Sequence, residues 1–196
     1  MIWQVVGDPA NRPPDLKTNT MGKPNYRKGQ IGELTAYFYD GKYLPKDVVN
    51  QCYRKGKITN VNKTETGNGF TRSVLKTPPN FPLVKILIEP NLKVIEDKAV
   101  KHKGDNYLYL HSKSFSTLND WSNSTEYIIT TTDTFRHIVL PALRKKNQAE
   151  QIESITIDEV HKIPEGASFR DSLVDYFHKV SLEMLKLNPD IAIVNV

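Results

Sequence analysis

The chain has 196 residues, 38% of them hydrophobic and 25% charged, with a formal net charge of +5 at neutral pH. That is enough apolar material for one sizeable core, but no stretch approaches the roughly 20 apolar residues a membrane-spanning helix needs, and the mean hydropathy of -0.49 agrees. The single cysteine, Cys52, excludes an internal disulfide and a cysteine-built zinc cage, and the amino terminus lacks the basic start and long apolar run of a secretory signal.

Cys52 reads as a half-buried small residue in a reducing, intracellular protein. A pI near 9.1 fits a protein that meets phosphate backbones, although charge alone is weak evidence for that partner.

Residues 1–32 differ from the rest. Pro9, Pro13, Pro14, Pro24, Gly22 and Gly29 crowd the segment 7–32, which shows almost no periodicity and reads as an irregular arm. Regular structure is expected from residue 33 to residue 196. GELTAYFYDGKYLP alternates and turns at Asp40-Gly41, a hairpin signal, and residues 46–55 carry Val48, Val49, Cys52 and Tyr53 at helical spacing before Gly56.

From there the pattern is strand, loop, helix, strand. KITNVN (57–62) is a short strand feeding the glycine-rich TETGNGFT (64–71), and a helix from Thr71 is kept short by Pro78 and Pro79. VKILIEP is a nearly continuous apolar run, as expected of a strand buried on both faces, and Asn91 caps a helix to Lys101. Residues 107–111 and YIITTT are further strands, and residues 135–146 are helical with Pro141 as a kink or break. SITIDEVH is a strand ending in acids. Residues 168–187 form an amphipathic helix with Phe169, Leu173, Tyr176, Phe177, Val180 and Met184 on one face, and IAIVNV is the last strand. Alternating strands and helices imply an α/β fold with a mainly parallel sheet and right-handed crossovers.

Ligands of such a sheet sit beyond the carboxyl ends of its strands, where two informative loops fall. Gly67 and Gly69 allow the close backbone approach that phosphates need, and Thr71 offers a hydroxyl to magnesium. Asp158 suits the carboxylate that such an ion requires from a neighbouring strand, and Glu159 suits a group that orients or deprotonates an attacking water.

TETGNGFT resembles the phosphate loop of superfamily 2 helicases, usually A/T-x-T-G-x-G-K-T, and DEVH is similar to their second motif. VKILIEPNLKVIEDK resembles the segment between these two, and EYIITTTDTF the later threonine-rich motif. The order holds over residues 57–196, so the chain looks like the first motor domain of a DEVH/DEAD-box-type helicase. The resemblance implies a three-layer RecA-like P-loop fold over residues 33–196, as part of a longer protein, with the irregular arm before it. It implies ATP and Mg2+ as cofactors, with Thr66, Gly67, Asn68, Gly69, Phe70 and Thr71 around the nucleotide. Asp158 and Thr71 would serve the metal, Glu159 the water, and His161 the coupling of nucleotide to nucleic acid. Pro90, Asn91, Thr130, Thr131, Thr132 and Asp133 would touch nucleic acid phosphates, DNA rather than RNA, without reading sequence. The family needs a second RecA-like domain, in the same or another chain, and no membrane.

One departure matters. Phe70 stands where the family carries the phosphate-binding lysine, and a lost charge-assisted contact is worth about 1.5–3 kcal/mol. Lys63 or Arg72 could supply charge instead, Phe70 could stack on a base or pack inward, or the site could be inactive. Lysine-free loops of this kind resemble those of bacteriophage-type helicase proteins, which puts the chain in the host cytoplasm or a virion.

The alternatives are a non-catalytic nucleic-acid-binding or virion-associated module, and a partner-binding protein acting through the proline-rich arm. Lys98, Lys101 and Lys103, and Arg144, Lys145 and Lys146, read as solvated helix faces unless they share a surface. His102, His111, His137, His161 and His178 show no metal-ligand spacing.

Overall fold

The strand VKILIE sets the plan of the molecule, because every one of its six residues is buried. A strand covered on both faces belongs in the middle of a sheet with helices above and below it. The computed structural model describes residues 2–5, 26–31, 34–39, 46–63, 69–113, 117–145, 148–158 and 170–196. In chain order the strands are β1 (Ile2–Val5), β2 (Tyr26–Ile31), β3 (Leu34–Tyr39), β4 (Lys57–Lys63), β5 (Val84–Glu89), β6 (Tyr107–Leu110), β7 (Tyr127–Thr131), β8 (Ile152–Ile157) and β9 (Ala192–Asn195). The helices are α1 (Lys46–Cys52), α2 (Phe70–Leu75), α3 (Leu92–Lys101), α4 (Thr132–Thr134), α5 (Leu140–Lys145) and α6 (Arg170–Leu187).

The strands form one sheet in the order β2-β3-β1-β4-β9-β8-β5-β7-β6. Its six central and far strands, β4 to β6 in that order, run parallel. At the other side β1 and β3 continue the parallel set, and β2 closes it antiparallel to β3. The α/β class and the mainly parallel sheet expected from the strand-helix alternation are therefore present.

Period-two alternation divides the core between two helical layers. Val84, Ile86 and Ile88 of β5 join Ile155 and Ile157 of β8 against Phe135, Val139, Leu140 and Leu143 and against Phe177, Val180 and Met184 of α6. On the opposite face α1 and α2 bury Val48, Val49, Phe70 and Val74 over Val61 and Val194. Beside them Leu75 of α2 and Ile95 of α3 cover Leu87, Tyr127 and Ile129. The sheet thus lies between α1, α2 and α3 on one side and α5 and α6 on the other.

Several expectations need correction. The segment 1–32 is not irregular throughout, because Ile2–Val5 and Tyr26–Ile31 are strands of the sheet. Their signal is faint in the sequence: IWQV is short, and YRKGQI holds two basic residues and a glycine, which suits an edge position and not a core. The hairpin partner of β3 is β2, with Ile31 opposite Leu34, so the pairing lies on the amino-terminal side of β3. Residues 40–45, which contain the expected Asp40-Gly41 turn, lie outside the described residues.

The helix around Pro141 does continue, but five residues before it, Phe135–Val139, are π-helical. Proline has no N–H for the carbonyl of His137 and its ring crowds that oxygen, and a widened turn relieves both. In α6, Phe177, Val180 and Met184 are buried as the amphipathic pattern requires, while the side chains of Phe169 and Leu173 lie outside the described set. No helix among the described residues is long and apolar enough to cross a membrane.

Candidate functional site

At the carboxyl rim of the sheet, α2 leaves β4 and crosses towards β5. Its first residue is capped by Gly69, whose φ of 81° lies in the left-handed region that favours glycine. The next side chain inward is Phe70. It is 1% exposed and packs among Val48, Val49, Cys52, Val61 and Val74, with its ring 6.4 Å from that of Tyr53. Phe70 is therefore a core residue of the α1–α2 layer, and its side chain is turned away from any ligand at the rim. Of the fates open to Phe70 from sequence, inward packing is the one found.

Thr71 faces the other way. Its Oγ1 donates a hydrogen bond to Oδ2 of Asp158, at the end of β8 and 87 residues further along the chain. Asp158 is 5% exposed, and its backbone N–H donates to the carbonyl of Ile88 at 2.9 Å, which fixes it beside the end of β5. The carboxylate was expected from a neighbouring strand, but β9 stands between β4 and β8, so the two strands that carry this pair are not adjacent. The helix bridges the gap: on its way to β5, α2 carries Thr71 over β9 and onto β8.

Polar residues continue down β8 on the same face. Ser154, Thr156 and Asp158 alternate with Ile155 and Ile157, and Thr156 Oγ1 and the Tyr53 hydroxyl are hydrogen-bonded at 2.6 Å. Burial pushes the Tyr53 phenol up, against the lowering effect of this bond. Cys52 next to it is buried and free, its thiol pushed up to about 12 by burial, so it is an inert core residue.

A second arm of the rim is formed by β5 and β7, where Glu89 is in register with Thr131. That pairing brings Pro90 and Asn91 beside Thr131, Thr132 and Asp133. Asn91 is exposed, but its Oδ1 accepts from the N–H of Val94 at 3.1 Å and caps α3. Thr131 caps α4 in the same manner, accepting from the N–H of Thr134 at 3.3 Å. Thr130 is fully buried and its hydroxyl donates to the carbonyl of Thr131, while Asp133 is exposed.

Sequence reasoning missed the charged pair at this rim. Glu89 is 1% exposed and its Oε1 lies 2.8 Å from Nζ of Lys98 on α3. Lys98, at 17% exposure, is not part of a solvated face. At the other end of β5, Lys85 is also buried, donating to the Thr77 carbonyl at 2.9 Å and lying 3.6 Å from Glu153; burial lowers its pKa. The signal was present in VKILIE, where Lys85, Leu87 and Glu89 share one face by alternation. Charges on an otherwise apolar buried strand require partners.

Thr66, Gly67, Asn68, Glu159 and His161 lie outside the described residues, as does the side chain of Lys63. What the described rim offers a metal is a hydroxyl and a carboxylate, the hard oxygen donors that magnesium takes. Magnesium is ordinarily held through one or two carboxylates, waters and substrate phosphates and not by a protein cage, so this donor set fits it. No group of three or more His, Cys, Asp or Glu able to hold an ion unaided occurs among the described residues. No protein-family model, curated protein or solved structure matches the chain.

Proposed function

We propose that this chain is the first, RecA-like motor domain of an ATP-dependent nucleic-acid helicase or translocase of the DEVH type. The observation that carries the reading is the hydrogen bond between Thr71 and Asp158. It unites the end of the glycine-rich turn with the first residue of the DEVH sequence, as a shared magnesium-nucleotide site requires. In this reading Thr71 and Asp158 hold the ion, which supplies charge neutralisation to the phosphates when bound. Glu159 orients the water, and His161 links the site to the nucleic acid. Pro90, Asn91, Thr131, Thr132 and Asp133 meet the phosphate backbone on the adjoining rim, while Thr130, expected among them, is fully buried and supports the strand end, and a second motor domain completes the cleft.

The test is equilibrium binding of ATP with magnesium or with a chelator, to the wild type and to Asp158→Asn. Binding should depend on magnesium and weaken about tenfold or more in the variant, as for loss of one charge-assisted contact. Equal binding with and without magnesium would sink the reading. Hydrolysis is expected only when a second motor domain is supplied.

A second reading, a non-catalytic nucleic-acid-binding or virion-associated module, is favoured by one observation. Phe70 fills the core where the family has its lysine, so that position offers no charge to a phosphate. This reading expects binding of single-stranded oligonucleotides that falls with salt and ignores both nucleotide and Glu159→Gln.

A further inference from the structure

A groove of about 510 Å3 between α2 and α3 is lined by Thr71, Arg72, Leu75, Lys76, Lys98, Lys101 and His102. Its volume falls within the roughly 300–1,000 Å3 of small-molecule sites. The floor is electrically settled, because Lys98 is paired with Glu89. The walls are not. Arg72, Lys76 and Lys101 are exposed, and none has a carboxylate partner among the described residues. Two neighbouring helices thus place three cations, none with a carboxylate partner among the described residues, around one concavity, which makes its potential favourable to an anion.

We propose that the α2–α3 groove is a binding site for a compact oligophosphate anion, held by Arg72, Lys76 and Lys101. The dimensions favour a compact anion over a strand of nucleic acid. The six residues of α2 make a wall about 9 Å long, and no Phe, Tyr or Trp lines the groove. Sites for single strands combine a longer basic track with aromatic platforms for the bases. The groove adjoins the candidate magnesium-nucleotide site through Thr71, but Lys76 and Lys101 play no part in that site, and the proposed binding needs no magnesium.

His102 is a built-in reporter. Its ring packs on that of Tyr107, with centroids 5.7 Å apart. Its pKa is held below the ordinary histidine value first by burial, then by Lys98 and Lys101 on its own helix and by Lys76 and Arg72 on α2. An anion among those cations offsets their field and must raise that pKa.

The experiment is calorimetric titration of the full chain with inorganic tripolyphosphate in chelator, while ring NMR follows His102. Saturable binding is expected, with His102 titrating at higher pH in the complex. Lys76→Gln/Lys101→Gln, both at exposed positions, should weaken binding tenfold or more, with Arg72→Gln as an independent second variant. Lys76→Gln/Lys101→Gln should still bind magnesium-ATP as the wild type does, which separates this site from the magnesium-nucleotide site. The proposal is overturned by absence of saturable binding, by unchanged affinity in both lysine and arginine variants, or by an unmoved His102. A single-stranded oligonucleotide that binds more tightly than tripolyphosphate, and loses affinity in the same variants, overturns it in favour of an extended backbone.

Discussion

Glu89 and Lys98 form a 2.8 Å ion pair at the carboxyl end of β5, joining the last residue of the strand to the helix that follows it. The carboxylate is 1% exposed, so the ammonium that reaches back from α3 offsets part of the cost of burying a charge there. Removing one partner of a buried pair costs about 3–5 kcal/mol, because the other charge stays buried. Lys98→Met is therefore expected to destabilise the fold by about 3 kcal/mol in urea unfolding, and Lys98→Met/Glu89→Gln to regain more than half of that. Equal stability of wild type and Lys98→Met would mean that the carboxylate does not depend on this partner.

Phe70 gives the second prediction. Its ring is enclosed by α1, α2, β4 and β9, so Phe70→Ala should cost about 3–5 kcal/mol, and Phe70→Leu about 1.5 kcal/mol or less. Phe70→Lys would place an ammonium among Val48, Val49 and Val74, and is expected not to fold. The family lysine therefore cannot be restored by this one substitution. A Phe70→Lys chain that melts with the wild type and binds ATP more tightly would overturn the core placement.

Much of this arrangement could be read from local pattern. VKILIE announced a strand buried on both faces, Asn91 announced the start of α3, and Val48, Val49 and Cys52 announced the buried side of α1. What local pattern could not supply was lateral order. That β9, the last strand, lies between β4 and β8 depends on packing of the whole chain, and no feature of IAIVNV encodes it. β1 was illegible for the same reason, since four residues carry too little alternation to mark a strand without the neighbours β3 and β4. At the site, glycines and acids pointed to Thr71 and Asp158. The inward turn of Phe70 follows from helical phase, which places it with Val74 at i+4 on the buried side of α2.

The polar column of β8 gives the third prediction. Tyr53 and Thr156 share a 2.6 Å hydrogen bond beneath the site, and Thr156 is 1% exposed. Tyr53→Phe leaves the threonine hydroxyl buried without this partner, at about 1–3 kcal/mol. Thr156→Val added to Tyr53→Phe removes both polar groups and should recover most of the loss. A double-mutant cycle on unfolding free energies reads the coupling directly, and additive losses would show that the bond contributes nothing.

The last prediction concerns acid stability and the junction of α5 with α6. Arg144 grips Glu183 with two hydrogen bonds, 2.5 Å from Nε to Oε1 and 2.6 Å from Nη2 to Oε2. That guanidinium contact lowers the Glu183 pKa below its ordinary value of 4.5, outweighing the opposing effect of burial. A carboxylate with a lowered folded-state pKa binds protons more readily when unfolded. Its stabilisation is complete above the unfolded value and disappears as pH falls through the folded one. The effect is small, because the two side chains are 46% and 36% exposed and solvent screens them. Glu183→Gln should thus unfold at lower urea than the wild type at pH 7, and the deficit should shrink as pH falls below 4.5 and on through the lower folded-state value, where the glutamate becomes neutral like the glutamine. A deficit that persists undiminished at pH 3 would assign the contact's value to packing of the side-chain stems, not to the charge.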